Sequence, residues 1–184
     1  MVTHPFAKEL LRRMKPPSRF ARALVVAAAA AVLVASSALA AEQGESGQRL
    51  PRFVSLRATQ VNLRSGPGVR YPIEWVYLQR DLPVEVIQEF DNWRKIRDWE
   101  GTEGWVHRSM LSGNRAIRVI GTVTPLRAQP QAESPVVAQV EGGVVGRLIS
   151  CPDASAFCRV EVGGQSGWLP RAAFWGAYRG ETVK

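Results

Sequence analysis

Histidine, cysteine and methionine are scarce in this chain: two, two and three among 184 residues. His4 falls in the first 40 residues, so the remainder carries only His107. Metal sites generally draw three or four ligands from clustered His, Cys and acidic side chains. One histidine and two distant cysteines do not supply such a set, so no metal and no other cofactor is expected. A catalytic dyad or triad needs its base beside a nucleophile. His107 lies in the first half of the chain and the only thiols, Cys151 and Cys158, in the second, so it reads as a surface histidine on a short strand. Any apolar run of the roughly 20 residues that span a bilayer is also missing; the longest, Ala23–Ala35, is shorter and rich in alanine. No segment after residue 40 sustains the 3.6-residue periodicity of an amphipathic helix.

Basic charge is less abundant than the total implies. The chain carries +8, but residues 1–40 hold six basic residues and one acid, and removing their +5 leaves +3. Residues 53–113 balance eight Lys/Arg against eight Asp/Glu. A nucleic-acid-binding module normally shows a basic stripe, so no nucleic-acid partner is expected. Glu85 and Glu89, with Asp98, Glu100 and Glu103, alternate with Arg94, Lys95 and Arg97; this reads as a solvated face rather than as paired catalytic carboxylates. An enzyme is not expected.

The charge of residues 1–40 has its own pattern. A basic head precedes the apolar stretch, and Ala38-Leu39-Ala40 follows it. That order describes a secretory signal peptide cut between Ala40 and Ala41; the alternative is an uncleaved anchor. After cleavage the chain has no membrane segment and is expected in the periplasm or secreted. Residues 41–52 are polar and aperiodic and read as a flexible lead-in.

What remains is written twice. Leu63-Arg64-Ser65-Gly66-Pro67 returns 63 residues later as Leu126-Arg127-Ala128-Gln129-Pro130, and Gly104-Trp105-Val106-His107-Arg108 returns as Gly167-Trp168-Leu169-Pro170-Arg171. A repeat of this length marks two copies of one small folded unit, here 53–113 and 114–176, with 177–184 as a frayed tail. Features held in both copies are what the fold needs; features found in one are candidates for function. In the first copy strands are expected over 53–60, 74–79, 84–90 and 93–99, with a last short strand from Trp105. Turn chemistry fills 64–71, and a helical turn is expected near Ser109–Leu111. The second copy follows the same order. Short, evenly spaced strands separated by turns indicate a small barrel or sandwich.

Val61-Asn62-Leu63-Arg64-Ser65-Gly66-Pro67-Gly68, Tyr71, Trp93-Arg94-Lys95-Ile96 and Gly104-Trp105-Val106 together resemble the bacterial SH3-like (SH3b) domain. The match covers nearly all of the first unit and is looser in the second, which has Gln129 in place of Gly66. The resemblance implies an all-β fold of two tandem five-stranded SH3-like barrels, and a binding module of the cell envelope. Some relatives bind peptidoglycan peptides, so the expected partner is a peptidoglycan peptide. The alternative is a protein–protein adaptor that docks an extended segment of an envelope protein. Oligomeric state stays open.

In such a barrel the groove lies between the loop after the first strand and the later hairpin loops. Tyr71, Trp75, Trp93 and Trp99 are aromatic in the first unit, and all but Trp93 lack an aromatic counterpart in the second; Phe157 is a near-equivalent of Trp93. Tyr and Trp dominate binding hot spots, so these four, with Arg94 for an acidic group, are the candidate ligand residues. The alternative is that the rings complete a small core. Arg64 and Arg127 recur and read as structural, bonding loop carbonyls. Cys151 ends one strand and Cys158 begins the next; facing hairpin positions lie within disulfide reach, and an exported chain meets an oxidising compartment. A bridge is expected, with two unpaired buried thiols as the alternative.

Overall fold

A computed structural model describes residues 42–184. The signal-peptide reading of 1–40 and the Ala40–Ala41 cleavage lie outside those residues. Nine strands build the first half: β1 (Glu42–Gln43), β2 (Arg49–Leu50), β3 (Arg52–Leu56), β4 (Val61–Arg64), β5 (Ile73–Tyr77), β6 (Pro83–Phe90), β7 (Trp93–Arg97), β8 (Glu103–His107) and β9 (Leu111–Ser112). Seven follow: β10 (Ala116–Val119), β11 (Val123–Arg127), β12 (Val136–Glu141), β13 (Val145–Ser150), β14 (Phe157–Val162), β15 (Gln165–Pro170) and β16 (Phe174–Trp175). Single 3-10 turns, Arg108–Met110 and Arg171–Ala173, precede β9 and β16.

The two halves repeat one topology. The first sheet runs β5-β4-β8-β7-β6-β3-β9 and the second β12-β11-β15-β14-β13-β10-β16, strand for strand. Even the irregularities repeat: register shifts at Leu63/Arg64 and Val86/Gln88 return at Leu126/Arg127 and Leu148/Ser150. The fold is thus all-β, two tandem SH3-like barrels. Alternation along the strands fills each interior: Leu56, Leu63 and Ile96 are fully buried in the first core, Ile117, Leu126 and Leu169 in the second. The repeated Gly-Trp pair has a steric reason. A Cβ on Gly104 would lie 2.6 Å from Leu63 Cγ, and one on Gly167 would lie 2.6 Å from Leu126 Cγ, so only glycine lets β8 and β15 pass over these core leucines.

Some expectations need correction. The run 53–60 is not one strand: β3 ends at Leu56, and β4 begins at Val61 within the motif that carried the resemblance. Residues 41–52 are not a loose lead-in, because β1 and β2 pair as a hairpin whose turn sits on Glu89 through Ser46. The residues after Gly176 are not frayed. Val183 bridges Cys151, and Glu181 forms a bidentate pair with Arg115 at 2.6 and 3.0 Å. In both terminal segments a polar side chain answers a charge on a barrel, a signal that hydrophobic periodicity does not carry.

The barrels also pack against each other. Phe53, on the outer face of β3, meets the Trp175 ring edge-on at 5.0 Å and the Tyr178 ring at 4.7 Å. Beside it Glu85, also buried, accepts from the Tyr178 hydroxyl at 2.7 Å and from Arg97 at 2.9 and 2.5 Å. Burial, and then this bond to Glu85, raise the Tyr178 hydroxyl above its ordinary value and keep it a donor. Glu85 and Glu89 therefore do not belong to a solvated face: each carboxylate is buried and paired with arginine.

Candidate functional site

The loop 65–72 bends back over the first barrel. Arg64, at the bulge in β4, sends Nη1 to the carbonyls of Tyr71 (2.7 Å) and Val69 (3.1 Å); Arg127 does the same to Ser134 (2.7 Å). The recurring arginine thus holds the loop in both copies. In the first copy the loop closes with Tyr71 lying across Gly66, where a Cβ would be 2.5 Å from the ring. In the second, Ser134 Oγ accepts from the Gln129 amide instead. Gly66 and Tyr71 are therefore one device and Gln129 and Ser134 another.

Between this loop, β4 and the 3-10 turn after β8 lies a cleft of about 350 Å³, lined by Asn62, Arg64, Val69, Trp93, His107 and Met110 among others. Trp93 and His107 face each other across β7 and β8, their rings edge to face at 5.5 Å. His107 Nδ1 accepts from the Ser109 amide (3.3 Å) and lies 2.7 Å from Ser109 Oγ, so the ring caps the 3-10 turn. Acting as acceptor at Nδ1 places the proton on Nε2. The pair resembles a base beside a nucleophile, but triad chemistry needs a third group to orient the imidazole. No described residue bonds Nε2. Among the described residues no group of three His, Cys, Asp or Glu side chains is placed to hold a metal ion. What the cleft offers is an aromatic wall, an amide and a ring N–H.

The five candidate ligand residues do not come together. Trp93 lines the cleft. Tyr71 is folded onto its own loop, with the Arg70 guanidinium 5.2 Å from its ring. Trp75 is 56% exposed on β5, an edge strand, beside Ile73 and Val76. Trp99 leans on Tyr77 at 6.5 Å and lies under the Arg118 guanidinium of the second barrel at 4.2 Å, placing it at the junction of the barrels. Arg94 is buried. Its Nε forms an ion pair with Glu89 at 3.0 Å, and Nη1 donates to the carbonyls of Asp91 and Trp93. His107 and Asn62 were not among the candidates. The repeat held the signal, since their counterparts are Pro170 and Pro125.

The pattern of two such barrels has a match. The family model for the bacterial SH3 domain fits residues 57–113 and again 121–176, more than half of the chain. The chain belongs to the bacterial SH3 domain family. Members are in general non-catalytic binding modules. No curated protein matches the chain. Among solved structures, NlpC2 from Trichomonas vaginalis is similar at 12% identity with a TM-score of 0.33, over 70% of this chain and 49% of that one. NlpC1 from the same organism is similar at 13% identity and a TM-score of 0.32, over 73% and 49%. The chain spans about half the length of both, and likenesses this distant bear on neither activity nor ligand.

The second barrel carries the Cys151–Cys158 disulfide, with Cα atoms 4.4 Å apart. No helix among the described residues is long and apolar enough to cross a membrane. A disulfide-bonded bacterial SH3 pair is compatible with the periplasm or the exterior.

Proposed function

We propose that this protein is a non-catalytic binding module of the cell envelope, exported by its amino-terminal segment, which recognises a peptidoglycan peptide in the Trp93–His107 cleft of the first barrel. One observation supports this most. The two barrels share topology, bulges and loop arginine, yet the cleft residues differ between them. Asn62, Trp93, His107 and Met110 stand where the second barrel has Pro125, Phe157, Pro170 and Ala173. A position the fold fills equally well with proline does not need histidine for stability. An aromatic face with polar groups at its rim is a common form of peptide recognition. Trp93 forms the wall, Asn62 and His107 supply the polar contacts, and Arg64 keeps the loop in place.

The test is cosedimentation of the exported protein with purified peptidoglycan. Retention, reduced at least tenfold by Trp93→Ala, supports this reading. A second reading, a protein–protein adaptor, is favoured by β5, an edge strand with Ile73 48% and Trp75 56% exposed and Leu78 beyond its end 76% exposed. Such an edge can take up an extended segment of another protein by strand addition. No retention on the wall, with a protein partner captured by wild type and lost on Trp75→Lys, supports the adaptor.

A further inference from the structure

The two barrels treat one pair of arginines differently. Arg52 and Arg108 of the first occupy the places of Arg115 and Arg171 in the second: the shared register of β3 with β10 fixes one, the shared 3-10 turn the other. In the second barrel the tail turns back after Gly176. Arg115 Nη1 and Nη2 grip the Glu181 carboxylate at 2.6 and 3.0 Å. Arg171 Nη1 donates to the carbonyls of Glu181 (2.8 Å) and Tyr178 (3.3 Å). This arginine pair is a built receptor for a peptide segment with a carboxylate.

In the first barrel the chain leaves Gly113 for the next domain, and no such segment returns. A cavity of about 200 Å³ lies there instead, between the amino-terminal hairpin and the barrel, lined by Ser46, Gln48, Arg52, Arg94, Arg108 and Leu111 among others. Arg52 Nη2 bonds Glu89 at 2.6 Å, but its Nη1 is buried without a partner, as is Nε. In Arg115 the corresponding Nη1 donates to Glu181 together with Nη2. Buried guanidinium donors are normally paired. Arg94 contributes Nη2, and Arg108 its whole guanidinium, neither bonded to any described residue. Two of these guanidinium groups, Arg52 and Arg94, share one buried carboxylate, Glu89, and the exposed Arg108 lines the same cavity, so its wall is cationic. The Trp93 cleft lies across the 3-10 turn: His107 and Met110 line that side, Arg108 and Leu111 this one.

We propose that this cavity is a second binding site, specific for a carboxylate carried on a peptide, and that Glu181 on the second barrel shows how the group is held. Planar carboxylates match the arginine fork. The site stands on the internal comparison and not on the wall-binding reading, and it can fail without it.

The test uses the exported protein and two probes: acetyl-glutamate-amide, which carries a side-chain carboxylate, and acetyl-alanine, which carries a terminal one. Acetyl-glutamine-amide is the neutral control, and the arginine Nε–Hε resonances are followed by NMR. Saturable shifts confined to Arg52, Arg94 and Arg108 with either carboxylate, and none with the neutral control, are expected; the tighter probe identifies the source of the group. Arg108→Gln, on an exposed side chain, is expected to weaken binding at least tenfold and leave the amide spectrum otherwise unchanged. The proposal is overturned if neither carboxylate saturates, if the neutral control shifts the same signals, if Arg108→Gln binds like wild type, or if only Arg115 and Arg171 respond, which would mean that the probe displaces the tail.

Discussion

Glu89 and Arg94 face each other across β6 and β7 at the place where Cys151 and Cys158 are bridged in the second barrel. Val86–Ile96 corresponds to Leu148–Val160, and the same step along each hairpin reaches the ion pair in one barrel and the disulfide in the other. One repeat closes this end of its sheet covalently. The other closes it with a carboxylate that also takes the Ser46 amide and hydroxyl at 2.7 and 2.8 Å and Arg52 at 2.6 Å.

Glu89→Gln is therefore expected to be costly. Its side chain is fully buried, and losing the charge leaves Arg94 and Arg52 without their counter-ion, a change of about 3–5 kcal/mol for a buried pair. Chemical denaturation measures it. Hydrogen exchange at the Ser46 amide should rise in the same variant, because the hairpin loses its anchor. A loss below 1 kcal/mol would mean that water, not Glu89, satisfies these arginines.

Acid should act through the same group. Burial alone would raise the Glu89 carboxyl, but the Ser46 amide, Arg52 and the Ser46 hydroxyl together hold it below the ordinary value of 4.5. Glu181 is lowered in the same way by Arg115 and the Tyr178 amide, against its own burial. A carboxyl depressed in the folded state contributes stability that is complete above its unfolded value and is lost as pH falls through the folded one. Stability is thus predicted to hold down to about pH 4.5 and then decline, with a shallower decline in Glu89→Gln. Equal slopes in wild type and variant would assign the acid sensitivity elsewhere.

Reduction of the disulfide is expected to lower stability by roughly 2–3 kcal/mol, the chain-entropy value for so short a loop. Denaturation with and without reductant reads this directly, and mass after alkylation confirms the state of the thiols. No change would mean that packing around Cys151 and Val183 already fixes this end of the sheet.

Gly66→Ala forces a Cβ against the Tyr71 ring and is expected to cost about 1–3 kcal/mol as local overpacking. Adding Tyr71→Ser, the second barrel's residue, should recover most of it. Independent losses that simply add would show that the two residues are not coupled.

Much of this fold is legible in the sequence, because duplication separates requirement from accident. Leu63, Arg64 and Gly104 recur since the core, the loop and a close crossing of strands demand them. Cys151 and Cys158 are legible because a hairpin is local. Other features depend on partners distant in sequence. Phe53 and Tyr178 meet across the barrels, and Glu89 gathers Ser46, Arg52 and Arg94 from three elements; no spacing rule predicts such encounters. Trp99 reads as a groove residue, yet it lies against Tyr77 and Arg118. Arg94 reads as exposed because the strand alternates charges, and Glu89 beneath it reverses that expectation. His107 is legible only by comparison of the copies: its counterpart Pro170 marks it as dispensable to the fold, and its place beside Trp93 in the proposed cleft depends on the pairing of β7 with β8.

The most direct measurement grafts the second barrel's residues onto the cleft. Trp93→Phe together with His107→Pro keeps side chains that the same fold accepts at those places. Cosedimentation with purified peptidoglycan is predicted to fall at least tenfold while the thermal midpoint stays near wild type. Undiminished retention by this double variant would contradict the assignment of binding to the Trp93–His107 cleft.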